Sequence, residues 1–535
     1  MLPLKIMKKI IIIISLSVFT LGFNNIIYSQ VDPQILNWYN GDKGMQTQKG
    51  YKKIKNRKSS TVIVAVIDSG VDIEHEDLKG KIWTNPKEIP NNNIDDDKNG
   101  FIDDVHGWNF LGNSKGENVD GATLEKTRIL RDLTKKFKDV DPVTLSAKEK
   151  EEYKLYETVK SDVQAEIENY SQYLPQLEML PLMIQNVPTM VSTEIGKEKY
   201  TQADLDKWNP TSDDLKQLKQ IASAILSGEL SLKMVEDQKK QITEMLDFNL
   251  NTDFDERLII GDNDDDFSDK NYGNNDVEGP DALHGTHVGG IIGAIRGNNL
   301  GGDGVANDVQ LMVLRAVPNG DENDKDIALA VRYAVDNGAK IINMSFGKGY
   351  STHQKEVFEA FQYADSKGVL LVHAAGNDNK DIDKEPNFPT SVYNFQKEKL
   401  DLFLTIGAST RVKKEMLAAD FSNYGQKGVD VFAPGHEIYN SVPQSQYMKL
   451  QGTSMAAPMV AGVGALLASY FPSLSMHEIK DIILQSSTSY KGTKQHLPGT
   501  EKLVDFGTLS VTGGVVNVKN AVTMCLALEK NKMSK

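Results

Sequence analysis

The tightest constraint on the fold is a run of seven residues, 61–67 (TVIVAVI), dominated by β-branched side chains and lacking any apolar–polar alternation. A strand with one wet face alternates. One that does not must be covered on both faces, as in a parallel sheet packed between helices. Runs of this kind return at residues 309–314 (VQLMVL), 341–344 (IINM), 369–373 (VLLVH) and 403–406 (FLTI). Between them, residues 326–337 and 354–367 space their apolar side chains as helices do, and Gly338 and Gly368 follow as C-terminal caps. Alternating strand and helix predicts an open parallel α/β sheet.

Residues 120–255 break the alternation and predict an all-α insertion. Ser146 and Glu149 form a capping box, after which Tyr153, Tyr156, Val159, Val163, Ile167 and Tyr170 share one helix face. A second helix follows Ser212 and aligns Leu215, Leu218, Ile221 and Ile225. Pro175, Pro181 and Pro188 are expected to interrupt the stretch between them.

The chain has 535 residues, with 74 acidic against 60 basic, a net charge of −14. Phosphate backbones repel such a surface, so nucleic acid is not an expected partner. The single cysteine, Cys525, allows no intrachain disulfide and no multi-thiolate metal site, and its apolar surroundings read as packing. Lys5, Lys8 and Lys9 precede an apolar run, residues 10–23, and a polar segment ending at Ser29-Gln30. That order is a secretory signal peptide, residues 1–29, too short to span a bilayer, where roughly twenty apolar residues are needed. The expected compartment is outside the cytoplasm, extracellular or periplasmic, with no membrane span after cleavage.

Three constellations carry chemistry. Asp68 ends the first strand, at the edge where α/β sheets place ligands, although an aspartate there also serves as a turn or cap residue. His284 opens the block LHGTHVGG, whose small residues let a helix sit deep in the core. Ser454, in GTSMAAPMVAG, lies near a helix start, with Pro458 expected in that helix's first turn. A serine there is ordinarily an N-cap. Together, however, these residues supply a nucleophile, a base and a carboxylate to fix the base's tautomer.

The segments VIVAVIDSGVDIEHEDL, HGTHVGGIIGA, INMSFG, VHAAGND and GTSMAAPMVAGVGALL, in this order, resemble the characteristic blocks of subtilisin-like serine peptidases. The resemblance spans roughly residues 55–118 and 256–490 and implies a three-layer subtilisin-like fold with a mostly parallel sheet. It implies that Asp68 supports His284, that His284 is the general base, that Ser454 attacks the peptide carbonyl, and that Asn377 and the Ser454 amide hold the oxyanion. His287 matches the family's second, structural histidine. Peptide or protein substrates would add as an extended strand along Ser345-Phe346-Gly347 and the stretch containing Pro318 and Gly320. Ala374, Ala375 and Gly376 would line the primary pocket with Ser345, favouring broad or apolar specificity. Lys348 stands where the family often has glycine and is expected to be a solvated rim lysine. A catalytically silent binding protein and an acyl-enzyme ligase or cyclase are the competing readings. A monomer without organic cofactor is expected.

Oxygen side chains at Asp95, Asp97, Asn99 and Asp103, with Gly100 between, have the spacing of a calcium loop. The backbone of Phe101 would contribute, and Asp103 or Asp104 would have to close the shell because His106 occupies the last position. By resemblance, Asp77 with the loop carrying Asn299 would form a second calcium site. The acidic run at residues 262–269 is a third candidate, or else a solvated turn. The resulting organisation is a peptidase domain of residues 30–119 and 256–535, interrupted by the 120–255 insertion. That insertion is expected to act either as a lid, substrate-selecting arm or folding aid, or as a stabilising decoration. Only about thirty residues separate the signal from the first strand, too few for the prodomain typical of secreted relatives.

Overall fold

The computed structural model describes residues 35–396, 398–412 and 415–533, so the expected signal peptide lies outside the described residues. Two compact units are present: residues 126–254 form one, and the described residues before and after them form the other.

The larger unit is built on strands β1 (Val62–Asp68), β2 (Gly107–Asn109), β3 (Val309–Arg315), β4 (Ile341–Met344), β5 (Leu370–Ala374), β6 (Phe403–Ser409), β7 (Val431–Pro434), β8 (Ile438–Val442), β9 (Gln446–Leu450), β10 (Thr488–Ser489), β11 (Lys494–His496), β12 (Leu503–Asp505) and β13 (Gly514–Val515). Nine of them form one sheet in the order β10-β13-β7-β6-β5-β4-β1-β3-β2, parallel except at β10–β13. β8–β9 and β11–β12 are separate antiparallel pairs.

The two faces of β1 explain its unbroken apolar run. Val62, Val64 and Val66 join a core that includes Val288 and Ile291 of the helix Leu283–Gly293 and Met459 and Val463 of the helix Thr453–Tyr470. Ala65 and Ile67 face the opposite core, with Ile327 and Val331 of the helix Asp324–Asp336 and Val357 and Phe361 of the helix Gln354–Ser366. Each fully buried Val or Ile side chain contributes about 1.5–3 kcal/mol relative to exposure. The arrangement is three layers, helix–sheet–helix.

Several elements extend beyond their apolar runs because polar residues finish them. β1 and β3 gain Asp68 and Arg315, which are register partners. The helix Asp324–Asp336 starts early because the Asn323 side chain accepts from the Lys325 amide.

In the smaller unit, Ser146 and Glu149 form the expected capping box, but the three prolines do not break the helix that begins there. Ala147–Ile195 is a single 49-residue helix containing Pro175, Pro181 and Pro188. An interior proline costs about 3 kcal/mol against alanine. The helix persists because Leu177, Leu180, Ile184, Val187 and Val191 are buried in one stripe against Leu218, Ile221, Val235 and Ile242. Ser212 caps the helix Asp213–Ser227 as expected.

Candidate active site

β1 delivers Asp68 to the carboxyl edge of the sheet, where it is 1% exposed. His284 is the second residue of the helix Leu283–Gly293. Its Nδ1–H donates to Asp68 Oδ1 at 2.6 Å, and the same oxygen accepts the Ser69 amide at 2.8 Å. The helix reaches this position because residue 285 is glycine: a Cβ there would lie 2.1 Å from the Gly70 carbonyl oxygen and 3.1 Å from Asp68 Cβ. Burial pulls the His284 pKa down, but the Asp68 charge and hydrogen bond, with Asp281 behind them, push harder, so its basicity is raised. The imidazole remains 36% exposed on its other side.

Ser454 is the second residue of the helix Thr453–Tyr470, entered through Gly452 at φ 153°. Pro458 lies one turn further along than expected, at the sixth helical position. It has no N–H to offer the Ser454 carbonyl, which instead accepts the Ser345 hydroxyl at 2.9 Å. The Ser454 hydroxyl in turn donates to the Ser345 carbonyl at 3.2 Å. Asn377 follows β5, and its Oδ1 accepts both the amide (2.8 Å) and the hydroxyl (3.0 Å) of Thr453. Because the amide group is planar, fixing Oδ1 also fixes the direction of Nδ2–H₂. Asn423, which sequence reasoning missed, braces this loop by accepting the Asp378 and Lys380 amides and donating to the Ala375 carbonyl. No local pattern marks it out.

The subtilase family model matches residues 59–507. The chain belongs to the subtilase family. Similar proteins include a thermophilic serine proteinase from Bacillus sp. (strain AK1), 37% identical over 229 residues, which are 43% of this chain and 51% of that protein. Thermitase from Thermoactinomyces vulgaris is 36% identical over 211 residues, 39% of this chain and 69% of thermitase. A solved protease structure from Pseudoalteromonas arctica aligns with 92% of this chain and 98% of its own, at 18% identity and TM-score 0.47. The chain thus spans about half the length of the Bacillus relative.

In this subtilase a cavity of about 440 Å³ is bordered by Phe346, Gly347, Ala374, Gly376, Asn377 and Ser454. The other expected pocket residues fall elsewhere. Ala375 is fully buried and packs towards Phe432 and Phe506, as strand alternation requires one residue after Ala374. Ser345 is buried and spends its hydroxyl on Ser454. Pro318 and Gly320 do not border the cavity, and between them Asn319 is already paired, its N–H with Asp120 and its carbonyl with Ala122. Lys348 is not solvated: its side chain is 1% exposed and ion-paired with Glu125 and Asp324.

His373 on β5 was also missed. Fully buried, it donates from Nε2 to the Phe346 carbonyl at 2.8 Å and so supports the cavity edge from behind. Desolvation holds its pKa down at about 4, with the Phe346 acceptor opposing. His287, bonded to the Ile438 and Met448 carbonyls, is pushed down to about 3 by burial and then by His284.

The acidic loop closes differently from the expectation. Carboxylate oxygens of Asp95 and Asp97 gather within 4.8 Å with one from Glu88, not with Asp103 or Asp104. Asp103 is spent on the Asn92 and Asn93 amides. Asp104 is buried against Tyr333, Asn99 and Asn85, and burial raises its pKa to about 6. Asn99 accepts the Phe101 amide, and the Phe101 ring is in the core, leaving only its backbone for a ligand. Glu88 Oε1 accepts the Asp96 and Asp97 amides, while its buried Oε2 has no hydrogen-bond partner. Burial, then the neighbouring acids, raises the Glu88 pKa. At the second site Asp77 is bonded by Asn298 rather than Asn299, at 2.7 Å, and its Oδ2 is a buried atom without partner. In the third, Asp262 is consumed by Arg257 and Lys325.

The two buried imidazoles set an acid limit on stability. Free histidine titrates near 6.5. Below that pH the unfolded chain binds protons that folded His373 and His287 refuse until about 4 and about 3. The contribution of these two groups is therefore full above pH 6.5 and falls on acidification, by about 3 kcal/mol per histidine at pH 4. His373→Gln keeps a donor for Phe346 and removes one titration. Calorimetric melting temperatures from pH 7 to 4 should fall less steeply for this variant; an equally steep fall counts against the assignment.

Proposed function

We propose that this subtilase is an exported serine endopeptidase that cleaves peptide bonds through Asp68, His284 and Ser454. The observation that carries the reading is the 2.6 Å bond from His284 Nδ1–H to a buried carboxylate, which leaves Nε2 as the free base. Substrate binding replaces the Ser345 carbonyl with the imidazole as acceptor for the Ser454 hydroxyl. His284 takes that proton as Ser454 Oγ attacks the scissile carbonyl. The oxyanion is met by the Ser454 amide, at the start of its helix, and by Asn377 Nδ2, aimed by Thr453. His284 then protonates the departing amine, leaving an acyl-enzyme that water hydrolyses by the same steps.

The peptide lies extended along Phe346-Gly347. Phe346, Gly347, Ala374 and Gly376 supply uncharged lining, which supports broad or apolar primary specificity, and Asp321, Asp378 and Lys380 also line the same cavity. Export is supported by the basic, apolar and polar order of residues 5–30. We assign residues 120–255 to an insertion in the peptidase domain.

A structural calcium ion fits Glu88, Asp95 and Asp97, where three carboxylates converge and a buried oxygen lacks a partner. Such an ion would neutralise the crowded charges and lock the loop. The buried Asp77 Oδ2 supports a second site.

Ser454→Ala should abolish both peptide cleavage and labelling by a serine-directed fluorophosphonate while the circular dichroism spectrum is retained; wild type that never labels defeats the peptidase reading. Asn377→Ala should lower kcat on the order of a hundredfold with little change in KM, the scale a lost oxyanion donor costs in subtilisin itself. A chelator should lower the wild-type melting temperature, and Glu88→Gln should remove most of that shift. A full shift in the variant places the ion elsewhere.

A further inference from the structure

The edge that borders the cavity runs through Lys348, whose side chain is only 1% exposed. Its ammonium lies 2.8 Å from Asp324 Oδ1 and 3.0 Å from Glu125 Oε2, and donates to the Glu322 carbonyl at 2.8 Å. Both carboxylates are otherwise committed. Glu125 Oε1 accepts the Thr352 hydroxyl at 2.7 Å, and Asp324 Oδ2 accepts the Ser351 hydroxyl and the His353 amide, each at 2.8 Å. The Glu125 amide donates to Asp321, a cavity residue. The Lys348 main chain exchanges two hydrogen bonds with Phe388, of 2.8 and 2.9 Å.

Buried charges of this kind tolerate few arrangements, because any other leaves a charge unpaired out of water. We propose that Lys348 is a positioning residue, whose buried ion pairs with Glu125 and Asp324 hold the Phe346-Gly347 edge in register for an extended peptide. Glu125 is the last residue of the larger unit before the chain enters the helical one at Lys126. The catalytic part of this inference rests on the peptidase reading; the anchoring of the strand does not.

The test uses full-length wild type, Lys348→Met, Glu125→Gln and the double variant. Hydrogen exchange of residues 346–349 and 388 should accelerate about tenfold or more in each single variant. For a tetrapeptide substrate, KM should rise about tenfold while kcat stays within about threefold, since the lost interaction serves binding rather than bond-making. The double variant should be no worse than Lys348→Met, because the pair acts as a unit. If Lys348→Met does not fold, Glu125→Gln, which keeps a hydrogen-bond acceptor, carries the test. Exchange and KM within about twofold of wild type in the folded variant would overturn the proposal. Wild type that takes no fluorophosphonate label, with the exchange difference still present, overturns the peptidase reading and leaves the anchoring standing.

Discussion

A carboxylate buried at the end of a parallel strand must be met by donors, and the donors that meet Asp68 organise the surrounding structure. Its register partner on β3 is Arg315, a full positive charge within reach. The Arg315 guanidinium is spent on the Ser69 and Val119 carbonyls and on Asn109 Oδ1. Burial lowers its pKa to about 10, with Asp120 opposing, so it remains charged at neutral pH. Asp68 is thereby left to the Ser69 amide and His284, and Gly285 supplies the clearance that lets the histidine's helix approach.

Legibility in the sequence tracks the range of the interaction concerned. Five strands of the nine-stranded sheet were legible because burial on both faces erases alternation within runs of four to seven residues. Asp68, His284, Asn377 and Ser454 were expected because each sits in a block that resembles the family's. Lys348 was misread because its partner Glu125 lies 223 positions away and nothing beside it marks a buried lysine. Glu88 was missed because it precedes the loop whose spacing was read. Asn423 and His373 act on main-chain groups, which any sequence supplies. The prolines of the long helix show local propensity overridden by tertiary packing, since a stripe of five buried apolar residues offsets the lost hydrogen bonds.

The acidic surplus also looks different in three dimensions. Part of it is not solvated: Asp262 and Asp326 are buried with Arg257, Lys325 and Tyr272, Asp326 accepting from Arg257 at 2.8 Å and from the Tyr272 hydroxyl at 2.7 Å. Buried pairs of this kind add little net stability, because desolvation cancels much of the attraction, but losing one member is costly. Cys525 is buried and its thiol is pushed up to about 12 by burial, so it packs rather than reacts. Stability in the larger unit must therefore come mainly from the two apolar layers about the sheet.

Pro458 shows how the helix start that carries Ser454 is tied to the end of β4. With any other residue at this position, its amide would donate to the Ser454 carbonyl, and the Ser345 hydroxyl would have to share that acceptor. Proline removes that competitor. The freed carbonyl accepts from Ser345, the Ser454 hydroxyl donates back to the Ser345 carbonyl, and Asn343 donates to the Ser345 hydroxyl at 2.9 Å. Helix start and strand end are thus tied by reciprocal bonds that need two things at once: a missing donor on one element, and a hydroxyl on the other placed to use the acceptor it leaves. The resulting geometry places Ser454 beside the end of β4, from which the Phe346-Gly347 edge continues.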